Sequence, residues 1–229
     1  DLSNIKKALS LGKIEGGGHF SSKVNFQMES LGFRNSLLTT SCTTALEMSA
    51  ILLDLKPGDE VIMPSYTFVS TANAFLLRGC IPVFVDVCKN DLNIDPNLVE
   101  NAITSKTKAI AVVHYGGVSC DMNKISNLAK KYKLHVIEDA AQCIGAFFNN
   151  KPLGSIGTFG ALSFHNTKNI SSGEGGALII NNSKFVKRAN IIHEKGTNRH
   201  DFKMGKVSKY VWKDIGSSYI LSDLSCAVL

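Results

Sequence analysis

The stretch His135-Val136-Ile137-Glu138-Asp139-Ala140 decides the fold. A short apolar run ends there in two adjacent acids. Just upstream, Met122, Ile125, Leu128, Ala129 and Tyr132 fall on one helical stripe, with Lys124, Asn127, Lys130 and Lys131 outside it. A helix followed by a short strand with a polar end is the repeating unit of a parallel sheet. The alternation continues outward from this unit. Upstream, residues 37–40 read as strand and 44–55 as helix. The turn Pro57-Gly58-Asp59 leads to a strand over 60–63, a helix around 71–78 and a strand over 82–87. Asp95-Pro96 opens a helix, with Asp as N-cap and Pro at the first helical position, and 109–115 is again a strand. Downstream, strands near 161–164 and over 177–181 are followed by a helix capped by Ser183. No repeat, low-complexity tract or linker interrupts the pattern. The expectation is one α/β domain, a mostly parallel sheet with helices on both faces.

Composition narrows the classes. The chain has 229 residues, 44% of them hydrophobic and 19% charged, which excludes intrinsic disorder. Apolar runs such as 109–113 and 177–180 fall far short of the roughly 20 residues a membrane-spanning helix needs, so no membrane partner is expected. Six cysteines (Cys42, Cys80, Cys88, Cys120, Cys143 and Cys226) form no C-x-x-C, and most sit in apolar contexts. They read as free thiols in a reducing cytoplasm. The histidines show no ligand spacing, so no metal site is expected. The formal net charge is +6, and residues 195–213 carry nearly all of it: Lys195, Arg199, Lys203, Lys206, Lys209 and Lys213 against Asp201. Such a patch suits an anionic small ligand or a phosphate backbone, and composition alone favours a Lys-rich, solvated loop. It has little aromatic interleaving and no nucleic-acid-binding motif. Both ends read as cuts: Asp1 follows no Met or leader, and 222–229 stops inside an apolar helix.

In open parallel sheets ligands bind at the carboxyl ends of strands. The strand over 37–40 runs into Ser41-Cys42-Thr43-Thr44 at the start of a helix, where free N–H groups and the helix dipole would cradle a phosphate. An ordinary N-cap has the same sequence. No G-x-G-x-x-G follows the first strand and no P-loop motif occurs, which argues against dinucleotide and nucleoside triphosphate sites. Of Glu138 and Asp139, alternation puts one toward the crevice. Lys168 follows a short strand beside the Gly173-Glu174-Gly175-Gly176 run, where an amine could meet a flat ligand. Gly16-Gly17-Gly18 fits a close backbone approach to a ligand or a flexible turn.

The combination is more specific than its parts. Ser41-Cys42-Thr43, Pro64-Ser65-Tyr66-Thr67-Phe68, Glu138-Asp139-Ala140-Ala141-Gln142 and Ser163-Phe164-His165-x-Thr167-Lys168-Asn169 occur in that order, the last followed by the glycine run. Over essentially its whole length the chain resembles the sugar aminotransferase family of DegT/DnrJ/EryC1/StrS type, among the fold-type I pyridoxal-phosphate enzymes. Within it the resemblance is nearest to the TDP-4-keto-6-deoxy-D-glucose transaminases. Residues 41–78 and 112–115, the run Glu194-Lys195-Gly196-Thr197-Asn198-Arg199 and the segment Trp212-x-Asp214-Ile215-Gly216-Ser217-Ser218-Tyr219 carry that nearer likeness.

The resemblance implies pyridoxal 5′-phosphate as cofactor and a role for each motif residue. Lys168 would be the Schiff-base lysine and proton carrier. Asp139 would pair with the ring nitrogen, Gln142 would reach the ring hydroxyl, and Phe68 would stack on the ring. Ser163 and the backbone at Cys42 and Thr43 would hold the phosphate. Ser218 stands where the family usually supplies an Asn from the neighbouring subunit, so a homodimer is implied. Arg199 is a candidate for a substrate diphosphate or carboxylate, whereas His165 is expected to be structural or to touch the ring. The implied reaction moves an amino group, from L-glutamate, to C4 of a nucleotide-linked 4-keto-6-deoxy sugar for surface polysaccharide synthesis. The resemblance also implies a C-terminal small domain, which is expected to be missing from these 229 residues. Related sugar dehydratases carry His where Lys168 stands, which weighs against that alternative. A second alternative is a regulatory relative that binds partners through residues 195–213.

Overall fold

The computed structural model describes residues 2–229. Two N-terminal helices, α1 (Leu2–Ser10) and α2 (His19–Ser30), precede the alternating units. These units are β1 (Ser36–Thr39), α3 (Cys42–Leu52), β2 (Glu60–Pro64), α4 (Val69–Leu76), β3 (Ile81–Val85), α5 (Pro96–Ala102), β4 (Thr107–Val113), α6 (Met122–Tyr132) and β5 (His135–Asp139). A small hairpin, β6 (Phe147–Phe148) and β7 (Lys151–Pro152), leads to β8 (Phe159–Ser163) and β9 (Gly176–Ile180). Helices α7 (Val186–His193), α8 (Arg199–Lys203) and α9 (Asp223–Val228) complete the chain.

Seven strands form one sheet in the order β1-β9-β8-β5-β4-β2-β3. The pairings β8/β5, β5/β4, β4/β2 and β2/β3 are parallel, and β9 alone runs against its neighbours β1 and β8. Period-2 alternation distributes the side chains. Val61, Met63, Ala109, Ala111, Ile137, Leu178 and Ile180 pack under α3, α4 and α7 on one face. Ile62, Ile110, Val112 and Val136 pack on the other face with α5 and α6, and Ala177 and Ile179 pack there with α2 and α9. The expected fold class is therefore observed, with both faces covered.

Local signals account for the element boundaries. Asp95 caps α5 by accepting from Asn97 N–H, with Pro96 at the first helical position. Asp121 caps α6, which ends on Lys133 in the left-handed conformation (φ 57°). Two expectations are corrected. Residues Ser183–Phe185 form a short 3-10 turn ahead of α7, and its cap is Asn182, whose side chain accepts from Lys184 N–H, rather than Ser183. Within Gly16-Gly17-Gly18, Gly16 and Gly18 pack against the chain that enters α9, so these two are not a flexible turn, whereas Gly17 is exposed with φ 81°. A Cβ on Gly16 would overlap Ile220, and one on Gly18 would lie 2.6 Å from the Asp223 carboxylate. That carboxylate accepts from Phe20 N–H (3.2 Å), Ser21 N–H (2.7 Å) and Ser21 Oγ (2.7 Å), and so caps α2 from the far end of the chain.

All six cysteines are free, four of them buried. Burial pushes the thiols of Cys120 and Cys143 up to about 12, which makes them inert packing groups. Among the described residues no helix is long and apolar enough to cross a membrane.

Candidate active site

A cavity of about 410 Å³ opens at the carboxyl ends of the parallel strands, within the roughly 300–1,000 Å³ typical of small-molecule and cofactor sites. Five segments converge on it. The turn after β1 and the start of α3 bring Ser41, Cys42 and Thr43. The entry to α4 brings Thr67, Phe68 and Ser70. The end of β4 brings Val113, His114 and Tyr115, and that of β5 brings Asp139, Ala141 and Gln142. The end of β8 and the turn beyond it bring Ser163, His165, Thr167 and Lys168. The cavity thus unites Cys42, Thr43, Phe68, Asp139, Gln142, Ser163 and Lys168.

At the α3 end, Ser41 and Thr44 form a capping box. Ser41 Oγ accepts from Thr44 N–H and Thr44 Oγ1 accepts from Ser41 N–H, each at 3.1 Å. Ala45 N–H bonds Ser41 O. The N–H groups of Cys42 and Thr43, which have no intrahelical acceptor at this position, therefore remain available. Thr43 Oγ1 donates to Ser70 Oγ at 2.8 Å, leaving the Ser70 hydrogen free to donate. Burial pushes the Cys42 thiol well above its ordinary range, so this residue offers its backbone rather than a thiolate.

Asp139 and Glu138 divide by register. Asp139 shares the parity of Ile137 and faces the cavity beside α3 and α4. Its Oδ2 accepts from Thr71 Oγ1 at 2.6 Å and its Oδ1 from Ala141 N–H at 3.3 Å. Burial pushes its carboxyl above the ordinary carboxylate range, opposed first by the Thr71 hydroxyl and then by Ala141 N–H. It forms no ion pair among the described residues, and an unpaired buried carboxylate attracts a cation. Glu138 points to the other side of the sheet, where its two oxygens accept from Gly154, Ile156 and Gly157 N–H and pair with His114 Nε2. His114 Nδ1 accepts from Cys120 N–H, so Nε2 carries the hydrogen toward Glu138.

Lys168 sits in a compact turn. Its N–H bonds His165 O, Asn166 N–H bonds Gly173 O, and Asn169 Nδ2 anchors the turn on Ile144 O at 2.9 Å. His165 Nδ1 contacts Thr167 Oγ1 at 2.9 Å, which ties this histidine to the turn. Gln142 Oε1 accepts from Gly116 N–H at 2.6 Å, which orients the amide and frees its NH₂. Phe68 is 73% exposed and flanks the cavity mouth as the N-cap residue of α4.

Two expected residues lie elsewhere. Ser218 is exposed and pairs with Glu194 in an isolated bridge; it does not line this chain's cavity. Arg199 is committed to Glu194, Nη1 to Oε2 at 3.0 Å, with Lys203 Nζ on the other oxygen at 3.4 Å. Burial alone would raise the Glu194 carboxyl, and Arg199 and Lys203 together hold it below its ordinary value. The basic segment thus spends two of its cations internally. Lys203 and Glu194 also border a second, more open depression of about 810 Å³ between α2, β1 and α8, which shares no lining residue with the first cavity.

Sequence reading missed Thr71, Ser70 and the pair Tyr66 and Tyr115, whose hydroxyls are 2.8 Å apart beside the cavity. The hydroxyl-rich run from Tyr66 to Thr71 was the available signal.

Fold and cavity together define an α/β protein with an open helix N-terminus, a buried acid without an ion-pair partner and a lysine around one cavity at its strand ends. The chain belongs to the DegT/DnrJ/EryC1/StrS aminotransferase family, whose model matches residues 2–229. It is 40% identical over 169 residues to the spore coat polysaccharide biosynthesis protein SpsC of Bacillus subtilis, a match covering 74% of this chain and 43% of that protein. Among solved structures, 3-amino-5-hydroxybenzoic acid synthase superposes with a TM-score of 0.91 at 30% identity, over 99% of this chain and 59% of that one. NtdA of Bacillus subtilis with bound cofactor PMP gives 0.88 at 33% identity, over 99% and 50%. The chain spans about half the length of the curated relatives it matches.

Proposed function

We propose that the chain is the cofactor-holding large domain of a pyridoxal-phosphate-dependent sugar aminotransferase. The observation that carries this reading is the convergence of Lys168, the cation-free buried acid Asp139 and the open N-terminus of α3 in one cavity. The residues fit the group. Cys42 and Thr43 N–H with Ser70 and Ser163 would hold the phosphate, as helix N-termini hold anions. Asp139 would hold the protonated ring nitrogen, the Gln142 NH₂ the ring hydroxyl, and Phe68 would cover the ring face. When bound, the cofactor supplies an aldehyde that captures amines and a ring that accepts the electron pair released at the adjoining carbon. Asp139 keeps that ring protonated. Lys168 Nζ would be the group that takes and returns the proton beside the cofactor, as a flexible amine on a rigid turn can. The presence of Lys168 in the cavity favours transamination over dehydration.

Membership of the family and the likeness to SpsC, a spore coat polysaccharide biosynthesis protein, support a sugar as the acceptor. The acceptor is a nucleotide-linked 4-keto-6-deoxy sugar aminated at C4, the donor L-glutamate, and the setting the cytoplasm. Arg199 would serve the sugar nucleotide only by releasing Glu194. A homodimer is supported by the outward face of α4 and its flank, where Phe68, Val69, Leu76 and Leu77 are 49–73% exposed. In such a dimer Ser218, which does not line its own cavity, would serve the partner's.

The experiment is borohydride treatment of protein equilibrated with pyridoxal phosphate, followed by peptide mass analysis. One cofactor fixed on the peptide containing Lys168 is expected; no fixed cofactor would sink the reading. A second test addresses the phosphate end. A Cβ on Gly176 would lie 2.5 Å from Cys42 N and 2.7 Å from Leu162 O, both backbone. Gly176→Ala should therefore displace the first turn of α3, cost about 1–3 kcal/mol of stability and weaken cofactor binding. Denaturant midpoints and fluorescence titration check both effects, and unchanged binding would remove the α3 end from the site.

A further inference from the structure

The cavity's acid is gripped by a chain of hydroxyls. Thr67 and Thr71 stand one turn apart at the entry to α4, their Oγ1 atoms 2.8 Å from each other. The Thr71 hydrogen goes to Asp139 Oδ2 at 2.6 Å, so Thr67 is the donor between the two threonines. Thr71 is fully buried. The other carboxylate oxygen has only the longer Ala141 N–H bond and a 4.0 Å contact with the Cys42 thiol. Thr71 therefore makes the single short bond to the carboxylate, of the charge-assisted kind that is about twice as strong as a neutral one.

We infer that Thr71 is a positioning residue: its hydroxyl, oriented by Thr67, locks the Asp139 carboxylate in the plane in which it meets the cofactor ring. This rests on the cofactor reading above. Ionisation follows from the same bond. The groups around Asp139 are the Cys42 thiol from α3, His114 beyond β4, Cys143 from the loop after β5, Lys168 from the turn after β8, and only neutral hydroxyls from α4. Burial favours the protonated acid, and the Thr71 hydroxyl is the first of the influences opposing it. Without that hydroxyl Asp139 keeps its proton to a higher pH, and a protonated acid cannot balance a protonated ring nitrogen.

Two variants separate the hydroxyl from the shape: Thr71→Val keeps the volume, and Thr71→Ser keeps the hydroxyl. In cofactor-free protein carrying 13C at the aspartate carboxyls, with Asp139 assigned through Asp139→Asn, the Asp139 titration midpoint should move upward in Thr71→Val and stay near wild type in Thr71→Ser. Pyridoxal phosphate should bind Thr71→Val about tenfold more weakly or worse, with the gap widening as pH falls. Coincident Asp139 titrations in wild type and Thr71→Val would overturn the inference, as would failure of serine to restore the midpoint. Should Thr71→Val not fold, Thr67→Val carries the test, with a smaller upward shift expected and no shift overturning it. A wild type that takes up no cofactor would refute the cofactor reading, while the titration would still decide the role of Thr71.

Discussion

Lys168→Ala is expected to yield a folded protein that no longer fixes cofactor under borohydride and whose transaminase turnover falls on the order of a thousandfold or more. Proton transfer by a positioned side chain contributes about 10²–10⁴ by itself, and this lysine also makes the covalent attachment. The fold should tolerate the change. The side chain is half-exposed on a turn whose shape depends on backbone bonds and on Asn169, so stability should stay within about 0.5 kcal/mol of wild type. Reversible binding should persist, because the α3 end, Asp139 and Gln142 are untouched. The informative pattern is therefore split: equilibrium binding retained, fixed cofactor absent, turnover lost. Turnover near wild type would mean that another amine does the work, and the assignment of Lys168 would fall.

The alternating units and their polar strand ends were legible because period-2 and period-3.6 patterns are local. So were the caps at Asp95 and Ser41, where one side chain bonds a backbone group within three residues. The family motifs placed seven residues that the cavity unites. What stayed hidden depends on long-range partners. Helix α2 has Phe20, Val24 and Met28 buried at helical spacing, but Gly18 provides no side-chain cap. Its cap, Asp223, lies some 200 residues away. The packing of Gly16 and Gly18 stayed hidden for the same reason, since the atoms that forbid a Cβ at these two positions belong to residues 220–223. Arg199 looked free because its partner Glu194, five residues earlier, lies beyond the end of α7, where no helical periodicity connects the two. Ser218 was placed by family position alone, and this chain leaves it outside its own cavity. Thr71 was unreadable as a site residue because a threonine early in a helix is ordinary, and only the packing of α4 against β5 brings it to Asp139.

Glu138→Gln, a change of one atom away from the cavity, should cost more stability than any site variant above. Glu138 is fully buried, and both its oxygens only accept. Oε1 takes Ile156 N–H at 2.7 Å and Gly157 N–H at 2.6 Å, and Oε2 takes Gly154 N–H at 2.8 Å and His114 Nε2 at 2.9 Å. An amide must place NH₂ against one of these donor pairs. Facing Ile156 and Gly157, it strands two backbone N–H groups. Facing Gly154 and His114, it strands one, and His114 can accept at Nε2 only by moving its hydrogen to Nδ1 and giving up the bond from Cys120 N–H. Each stranded buried group costs about 1–3 kcal/mol, so with two groups lost in either orientation a loss of about 2–6 kcal/mol is expected. The urea midpoint should drop with an unchanged slope, and a loss under about 1 kcal/mol would show that residues 154–157 relax away from position 138. The same substitution should also reach the site. Residues 154–157 lead into β8, which delivers Ser163 and the Lys168 turn, and His114 lines the cavity beside Asp139. Cofactor affinity should therefore fall in Glu138→Gln even where the protein is still folded, because the acid that faces away from the cavity is the one that holds its walls.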